Sequence, residues 1–257
     1  MCNYPYLTIN NTCILASDYY STSYTTIQIL FLLFSSIGII INGYFNYLFY
    51  KKNNKLTMKN FLFTSLLISN LLILIEFIDP FGFANNIPYI YNVLLSDIST
   101  WISLSLFFYV LILLTNTMNF YNFNKMNIFN YIFIIISFIL SIILGILQGI
   151  HNPNTWRGIK LILLAIVEMF MMYILNFNII KTIINIITDI FLLERLYIKT
   201  TIFNVLLTII ISFQIFIGIE SFNKHHIPEL NYSKLLLPSL QLIGNYFGTF
   251  FFYGKNN

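Results

Sequence analysis

The sequence predicts an all-α membrane protein: a bundle of seven transmembrane helices with its N-terminus outside and its C-terminus in the cytosol. Two observations predict this class. Of the 257 residues, 58% are hydrophobic and only 9% are charged, whereas a soluble domain carries about 25% charged residues. The apolar residues also fall in seven long runs, and crossing a bilayer as a helix takes about 20 such residues. So little charge could not cover the surface of a soluble fold, so lipid is the expected solvent.

Each apolar run predicts one span, and short polar segments separate them. The spans are Ile27–Tyr50, Phe61–Ile78, Ile98–Met118, Ile128–Ile150, Ile159–Ile180, Thr200–Ile219 and Leu235–Tyr253. Residues 27–253 therefore form one transmembrane domain, after a short outer tail of residues 1–26 and before a cytosolic end of residues 254–257. In Lys181–Lys199 the polar residues Lys181, Asn185 and Asp189 recur every four positions. This favours an interfacial helix or an extension of the fifth span over an eighth crossing.

The distribution of basic residues predicts the orientation. With the N-terminus outside, nine of the 13 Lys and Arg residues fall on the inner side and four on the outer side, which agrees with the positive-inside rule. Two Asn-x-Ser/Thr patterns, at Asn10 and Asn231, fall on the outer side and are candidate glycosylation sites. Trp101 and Trp156 fall at predicted outer helix ends, where interfacial tryptophans collect.

Proline and glycine positions bear on the shape of the spans. None of the six prolines falls in the interior of a predicted span, and Pro238 falls in the first turn of the last one. The sequence therefore offers no proline-made break of the kind found at transporter sites. Gly145 with Gly149, and Gly244 with Gly248, have the small-xxx-small spacing that predicts close helix packing.

Glu168 lies near the middle of the fifth predicted span. A charged side chain at that depth costs about 2.5–3.5 kcal/mol on insertion scales, so an acid there is a functional candidate that should face the protein interior. The alternative is a neutral structural acid that is hydrogen-bonded to an asparagine on another span. Several asparagines lie within the predicted spans, and the simplest interpretation is that they join helices by hydrogen bonds.

The end of the second span, "LLILIEFIDPFGF", contributes two further acids. Pro80 disfavours helical geometry at Asp79, so the helix should end there. Glu76 lies three residues earlier, on roughly the same face. Its side chain either faces the outer mouth of the bundle or extends to the lipid surface. With these two acids, the candidate ligand-binding set is Glu76, Asp79, Trp101, Glu168 and Glu220, and Asp97 could also line the mouth.

The sequence contains no pattern typical of an enzyme. It has no Gly-rich phosphate loop, nucleophile elbow or Walker motif. The three histidines, His151, His225 and His226, lack the spacing of a metal site. Two cysteines do not define a disulfide framework, and the scattered lysines do not indicate nucleic-acid binding. We therefore expect no catalytic activity, no metal and no cofactor.

Seven spans with an outer N-terminus resemble the arrangement of G-protein-coupled receptors. The motifs of the rhodopsin-like class are missing, since "NTMNFYNFNK" and "GNYFGTFFFY" stand where its third- and seventh-span motifs would be, and no span-seven lysine could hold retinal. In layout the chain is also similar to the seven-helix tobamovirus-multiplication family, through its compact chain, near-absent tails and the acidic-proline corner at Asp79 and Pro80. That resemblance implies a receptor-like or scaffold-like membrane protein.

The functional prediction is a multi-pass integral membrane protein, receptor-like, with a ligand site in the outer half of the bundle. A small ligand would enter from the outer side, and an acidic mouth would suit a cation. A cytosolic partner would bind at Lys51–Lys59 and Lys181–Lys199. The alternatives are a transporter or channel that uses Glu168, and a membrane scaffold. The sequence does not distinguish the plasma membrane from an endomembrane.

Overall fold

The computed structural model describes residues 5–53, 58–117, 123–150, 153–185, 190–223 and 232–253. Most of the described residues are helical, which confirms the predicted helical class. The elements are β1 (Tyr6–Ile9), β2 (Thr12–Leu15), α1 (Ala16–Tyr19), α2 (Ser21–Asn53), α3 (Met58–Glu76), a 3₁₀ turn (Pro80–Gly82), α4 (Tyr89–Thr117), α5 (Phe123–Ile150), α6 (Pro153–Asn185), α7 (Ile190–Asn223) and α8 (Tyr232–Tyr253).

The chain divides into two compact units. Unit 1 comprises Met1–Leu106, Gly145–Pro153 and His225–Asn257, and unit 2 comprises Phe107–Leu144 and Asn154–Lys224. Unit 1 therefore contains the N-terminal hairpin, α2, α3, α8, the first part of α4 and the last residues of α5. Unit 2 contains α6, α7 and the remaining parts of α4 and α5.

The N-terminal segment is a β-hairpin rather than a simple tail. β1 and β2 pair antiparallel, with Ile9 opposite Thr12. The two residues between them, Asn10 and Asn11, have φ values of 49° and 63°. Two left-handed residues in a two-residue loop suit the right-handed twist of the strands, and asparagine tolerates that conformation. Cys13 in β2 is disulfide-bonded, and the sequence has one other cysteine, Cys2, outside the described residues.

The hairpin packs on the start of α2 and on the loop that follows α3. Leu7, Ala16, Tyr24 and Phe83 form a buried cluster there. The backbone N–H of Ser17 donates to the Phe83 carbonyl over 3.4 Å. The hairpin and this loop therefore form one small capping layer on unit 1.

Beneath this layer, α2 and α3 pack antiparallel through aromatic and aliphatic side chains. The rings of Phe31 and Phe77 stack with centroids 3.9 Å apart, and Ile73 and Leu242 complete the cluster. Leu242 belongs to α8, so the cluster joins three helices. Close packing of these side chains holds the three helices together at this level of unit 1.

In unit 2, α6 and α7 run antiparallel and in close contact. A Cβ atom added at Gly158 would lie 2.8 Å from the carbonyl oxygen of Gly218. Further along, Asn204 donates from Nδ2 to Oδ1 of Asn176 over 2.6 Å. The start of α6 therefore contacts the end of α7, and a later part of α6 contacts an earlier part of α7. The two glycines allow the backbones to touch at one end of the pair.

Two described segments are long and apolar enough to cross a membrane, Ser21–Lys52 and Lys59–Gly82. Two shorter apolar segments are Ile135–Ile150 and Leu207–Phe222. Helices α2 and α5 each expose an apolar stripe whose residues recur every three or four positions, as expected for one helix face. The residues of these stripes are Ile29, Leu33, Phe34, Ile37, Ile40, Tyr44 and Tyr47 on α2, and Ile132, Ile135, Ile136, Ile139, Ile143, Ile146 and Ile150 on α5; Leu30, Tyr50, Phe138 and Leu140 are exposed beside them.

The helices are longer than the predicted spans at several ends. α4 begins at Tyr89, nine residues before the predicted start at Ile98. Trp101 therefore lies in the body of α4, about 18 Å from its start at 1.5 Å per residue, and not at a helix end. α6 continues to Asn185 and α7 begins at Ile190, so the ends of Lys181–Lys199 extend two helices. The side chains of Lys181–Lys199 lie outside the described residues.

The expectation that no proline lies inside a helix is wrong. Pro238 is the seventh residue of α8, because α8 begins at Tyr232, before the predicted span. Proline has no backbone N–H to donate to the carbonyl of the residue four positions earlier. In the following turn, the Ser239 hydroxyl donates to the carbonyl of Leu235 over 2.7 Å, so a side chain supplies one more hydrogen bond to this part of the helix.

Candidate functional site

Asp79 is the centre of the capping layer. Its side chain is 0% exposed, and each carboxylate oxygen accepts two hydrogen bonds. Oδ1 accepts from the Tyr24 hydroxyl and the backbone N–H of Ala84, each over 2.9 Å. Oδ2 accepts from the backbone N–H groups of Asn86, at 2.7 Å, and Ile87, at 3.1 Å. A carboxylate with four donors is well stabilised in its charged form even without a basic partner.

The loop that supplies these donors has an unusual backbone. Phe81, Gly82 and Asn85 have φ values of 62°, 66° and 58°. A Cβ atom at Gly82 would lie 3.2 Å from the carbonyl oxygen of Ile87, so a larger residue would be crowded as well as strained. The loop curls around Asp79, and its hydrogen bonds to the carboxylate offset the energetic cost of the left-handed backbone conformation. α3 ends at Glu76, three residues before the end that the sequence predicted at Asp79, and the acid organises the loop that follows.

Three other predicted mouth residues are buried in unit 1. Glu76, Asp97 and Trp101 are 5%, 6% and 2% exposed. Of the two positions predicted for the Glu76 side chain, the lipid surface is excluded, because the side chain is buried within the protein. A Cβ atom on Gly145 would lie only 2.3 Å from Oδ2 of Asp97, so this glycine of α5 makes room for the acid.

A hydrogen-bonded polar network occupies the interior of unit 1. Asn245 of α8 lies at its centre: Nδ2 donates to the hydroxyl of Ser69 over 3.0 Å and to Oδ1 of Asn70 over 3.1 Å. Its Oδ1 accepts from the hydroxyl of Ser103 over 2.8 Å. The hydroxyls of Ser69 and Ser99 are 3.1 Å apart. We call these five residues the serine–asparagine network.

The network continues along α8 in both directions. Towards its start, Gln241 donates to the hydroxyl of Ser99 and accepts from Thr100 over 3.3 Å. Towards its end, the hydroxyl of Thr249 donates to Oδ1 of Asn42 over 3.0 Å. Residues 241, 245 and 249 are one turn apart, so one face of α8 carries a polar stripe. Side chains of α2, α3, α4 and α8 are thus joined in one buried set of hydrogen bonds.

In unit 2 the buried acid is Glu168, and its side chain is 3% exposed. Nε2 of Gln214, on α7, donates to Oε1 of Glu168 over 2.9 Å. Oε2 of Glu168 and Oε1 of Gln214 have no hydrogen-bond partner among the described residues. Ala165, Leu207 and Ile211 form a buried apolar cluster one turn away. The sequence predicted an interior acid, and its partner is a glutamine and not the asparagine of the structural alternative.

The predicted ligand-binding residues divide between the two units. Glu76, Asp79 and Trp101 belong to unit 1, whereas Glu168 and Glu220 belong to unit 2, and Glu220 is partly buried on α7. Ligand binding by this set stays a prediction.

The candidate glycosylation and metal sites have different positions. Asn10 is exposed at the tip of the hairpin, whereas Asn231 lies outside the described residues. His151, His225 and His226 also lie outside them. In the described ranges, no group of three His, Cys, Asp or Glu side chains could hold a metal ion.

The serines and glutamines of these sites were not predicted from the sequence. A signal was present: Ser99 and Ser103 are four residues apart, as are Gln241 and Asn245, which places each pair on one helix face.

No protein-family model, curated protein or solved structure matches the chain.

Proposed function

We propose that the chain is a multi-pass integral membrane protein of seven spans whose N-terminus lies outside. The exposed apolar stripes of α2 and α5 support this proposal, because water would not stabilise such surfaces. The disulfide at Cys13 supports an outer hairpin, since disulfides persist in oxidising compartments. The basic residues Lys51 and Lys52 lie at the opposite end of α2.

Glycan attachment at Asn10 tests this orientation. Asn10 lies exposed in a two-residue turn, so a glycan there would displace no core contact. When the protein is made in a eukaryotic host, we expect glycosidase treatment to reduce its mass. The mass removed should be smaller in Asn10→Gln than in the wild type, by one glycan. Asn11→Gln is the matched control, because it changes the same turn and keeps the Asn-x-Thr pattern. A wild-type protein that carries no glycan at either Asn10 or Asn231 would count against an outer hairpin.

We infer that within this architecture the protein acts as a receptor-like signal transducer, with its ligand site in the outer half of unit 1. The observation that carries this proposal is the serine–asparagine network. It joins α3, α4 and α8, and Thr249 extends it to α2. A ligand that changed the contacts at one end of these helices would change their packing along the network, which is the requirement for transmitting a signal.

The charges of unit 1 favour a cationic ligand. Glu76 and Asp97 are both buried there, and the sequence has no Lys or Arg before residue 51 or between residues 60 and 106. The charge of Asp79 is already stabilised by four donors. A small organic cation would complement Glu76 and Asp97, which lie buried in the same unit.

Thermal unfolding of the purified protein with organic cations tests this idea. The probes are tetramethylammonium and a set of primary amines. A probe at 100 times its dissociation constant would stabilise the folded state by about 2.7 kcal/mol. We expect Glu76→Gln and Asp97→Asn to reduce the shift, and Asp18→Asn, at an exposed acid of α1, to leave it unchanged. If no cation shifts unfolding and the protein does not stimulate nucleotide exchange on G proteins in cell membranes, the receptor-like function is wrong.

A transporter is the second candidate, and the buried pair Glu168 and Gln214 favours it. An ionisable group inside a span is the usual coupling site of proton- and ion-driven transport. Proton-dependent flux in proteoliposomes that is lost in Glu168→Gln would favour transport over signalling.

A further inference from the structure

The hydrogen bonds between Glu168 and Gln214 are incomplete as they stand. Nε2 of Gln214 donates to Oε1 of Glu168 over 2.9 Å. The two remaining oxygens, Oε2 of Glu168 and Oε1 of Gln214, have no partner among the residues that the structure describes. Both are acceptors when the carboxyl group is ionised. Buried polar atoms are nearly always paired, so two neighbouring acceptors without a donor indicate a missing proton.

We propose that Glu168 and Gln214 form a proton-binding site in which Glu168 is the protonated partner. A proton on Oε2 turns that oxygen into a donor, and the amide oxygen of Gln214 is the available acceptor. The two side chains then make a closed pair of hydrogen bonds, N–H to carboxyl oxygen and O–H to amide oxygen. Both unpartnered atoms are satisfied at once, and no net charge remains in the contact.

The surroundings favour the neutral form. Glu168 is 3% exposed and Gln214 is 2% exposed. Between residues 161 and 175 of α6 the only other titratable side chain is Tyr173, which is exposed, and residues 207–219 of α7 contain none. The nearby cluster of Ala165, Leu207 and Ile211 is apolar. Nothing in these stretches would compensate a negative charge, so binding a proton is the direct way to stabilise the pair.

Proton loss would place two acceptor oxygens and a negative charge in the α6–α7 contact. The site therefore links proton binding to the packing of these two helices. It is distinct from the ligand site proposed in unit 1 and does not depend on the receptor-like function. The transport alternative would take its coupling proton from this site, but the measurement below detects the proton whether or not any flux occurs.

Infrared spectroscopy of the protein in lipid nanodiscs tests the proposal, because protonated and ionised carboxyl groups absorb at different frequencies. At neutral pH, the wild-type minus Glu168→Gln difference spectrum should show the C=O band of a protonated carboxyl group. Glutamine can keep hydrogen bonds to Gln214, so this variant should fold. Asp18→Asn, at an exposed acid of α1, is the control and should leave the protonated C=O band unchanged.

A second variant tests the pairing itself. Gln214→Leu removes the amide donor and acceptor, so the protonated C=O band of Glu168 should shift to the frequency of a carboxyl group without hydrogen bonds. Ser212→Ala, at an exposed position of the same helix, should leave the band in place. An ionised Glu168 in the wild-type protein overturns the proposal, and so does a protonated band that Gln214→Leu leaves unmoved.

Discussion

Replacing Asp79 by asparagine should loosen the capping layer of unit 1. The carboxylate accepts four hydrogen bonds, two at each oxygen, from Tyr24, Ala84, Asn86 and Ile87. Asparagine keeps one acceptor oxygen and places an NH₂ group at the position of the other. Two of the four donors then face another donor.

The expected cost follows from these contacts. A hydrogen bond to a charged group contributes about 1.5–3 kcal/mol, and a buried donor left without a partner has a cost of similar size. Losing two such bonds gives about 3 kcal/mol at the lower end of that range. Since about 1.4 kcal/mol is a tenfold change in an equilibrium constant, local opening of the loop should become about 100 times more frequent.

Hydrogen exchange of the backbone amides measures this opening residue by residue. In Asp79→Asn, the amides of Ala84, Asn86 and Ile87 should exchange about 100 times faster, because they donate to the carboxylate. Tyr24→Phe removes one of the four bonds and should give an increase of about tenfold, since a single bond costs about 1.5 kcal/mol.

Asp18→Asn is the control for a lost charge, because Asp18 is exposed on α1. Its exchange rates should match those of the wild type. If the three amides keep their protection in Asp79→Asn, then Asp79 does not organise the loop and the reasoning is wrong.

Two further changes test helix packing, both by chemical unfolding in detergent. Gly145→Ala would place a Cβ atom 2.3 Å from Oδ2 of Asp97 and should destabilise the protein by about 1–3 kcal/mol, whereas Gly244→Ala, with nothing within 4 Å, should be neutral or stabilise it by up to about 1 kcal/mol. Equal effects of the two alanines would contradict the close contact at Gly145. Asn245→Ala removes three hydrogen bonds at the centre of the serine–asparagine network and, at about 0.6 kcal/mol each, should cost about 2 kcal/mol. A smaller effect than that of Ser65→Ala, at a partly buried position of α3 outside the network, would show that the network contributes nothing to stability.

The helical class could be predicted from the sequence because long apolar runs can be recognised without knowing how the helices pack. The interior position of Glu168 followed from the same pattern, since a charged side chain avoids lipid. Its partner could not be predicted, because Gln214 lies 46 residues away and only the antiparallel contact of α6 and α7 brings the two together. The serine–asparagine network depends in the same way on contacts among three helices, although its four-residue spacings were visible.

The errors have local causes. The start of α4 was predicted too late because Tyr89, Tyr91 and Asn92 make its first turns less apolar, although these residues are compatible with a helix. Pro238 was placed in a first turn because the polar start of α8 did not resemble a span. The hairpin was missed because a strand pair of four residues each is too short for a strong alternation, and Asn10-Asn11 was the only turn signal.

The capping layer constrains the order in which the protein can be assembled during synthesis. Tyr24 and Asp79 are 55 residues apart, and Asn92 donates to the carbonyl of Asp79 from the start of α4 over 2.6 Å. In the proposed orientation, the N-terminal hairpin has crossed the bilayer before the acid that anchors it is translated. The hairpin must therefore wait, unattached, until two more helical segments have entered the membrane. A chain stopped before residue 79 would lack the acid that accepts from Tyr24, so such a truncation should leave the hairpin without its anchor at the start of α2.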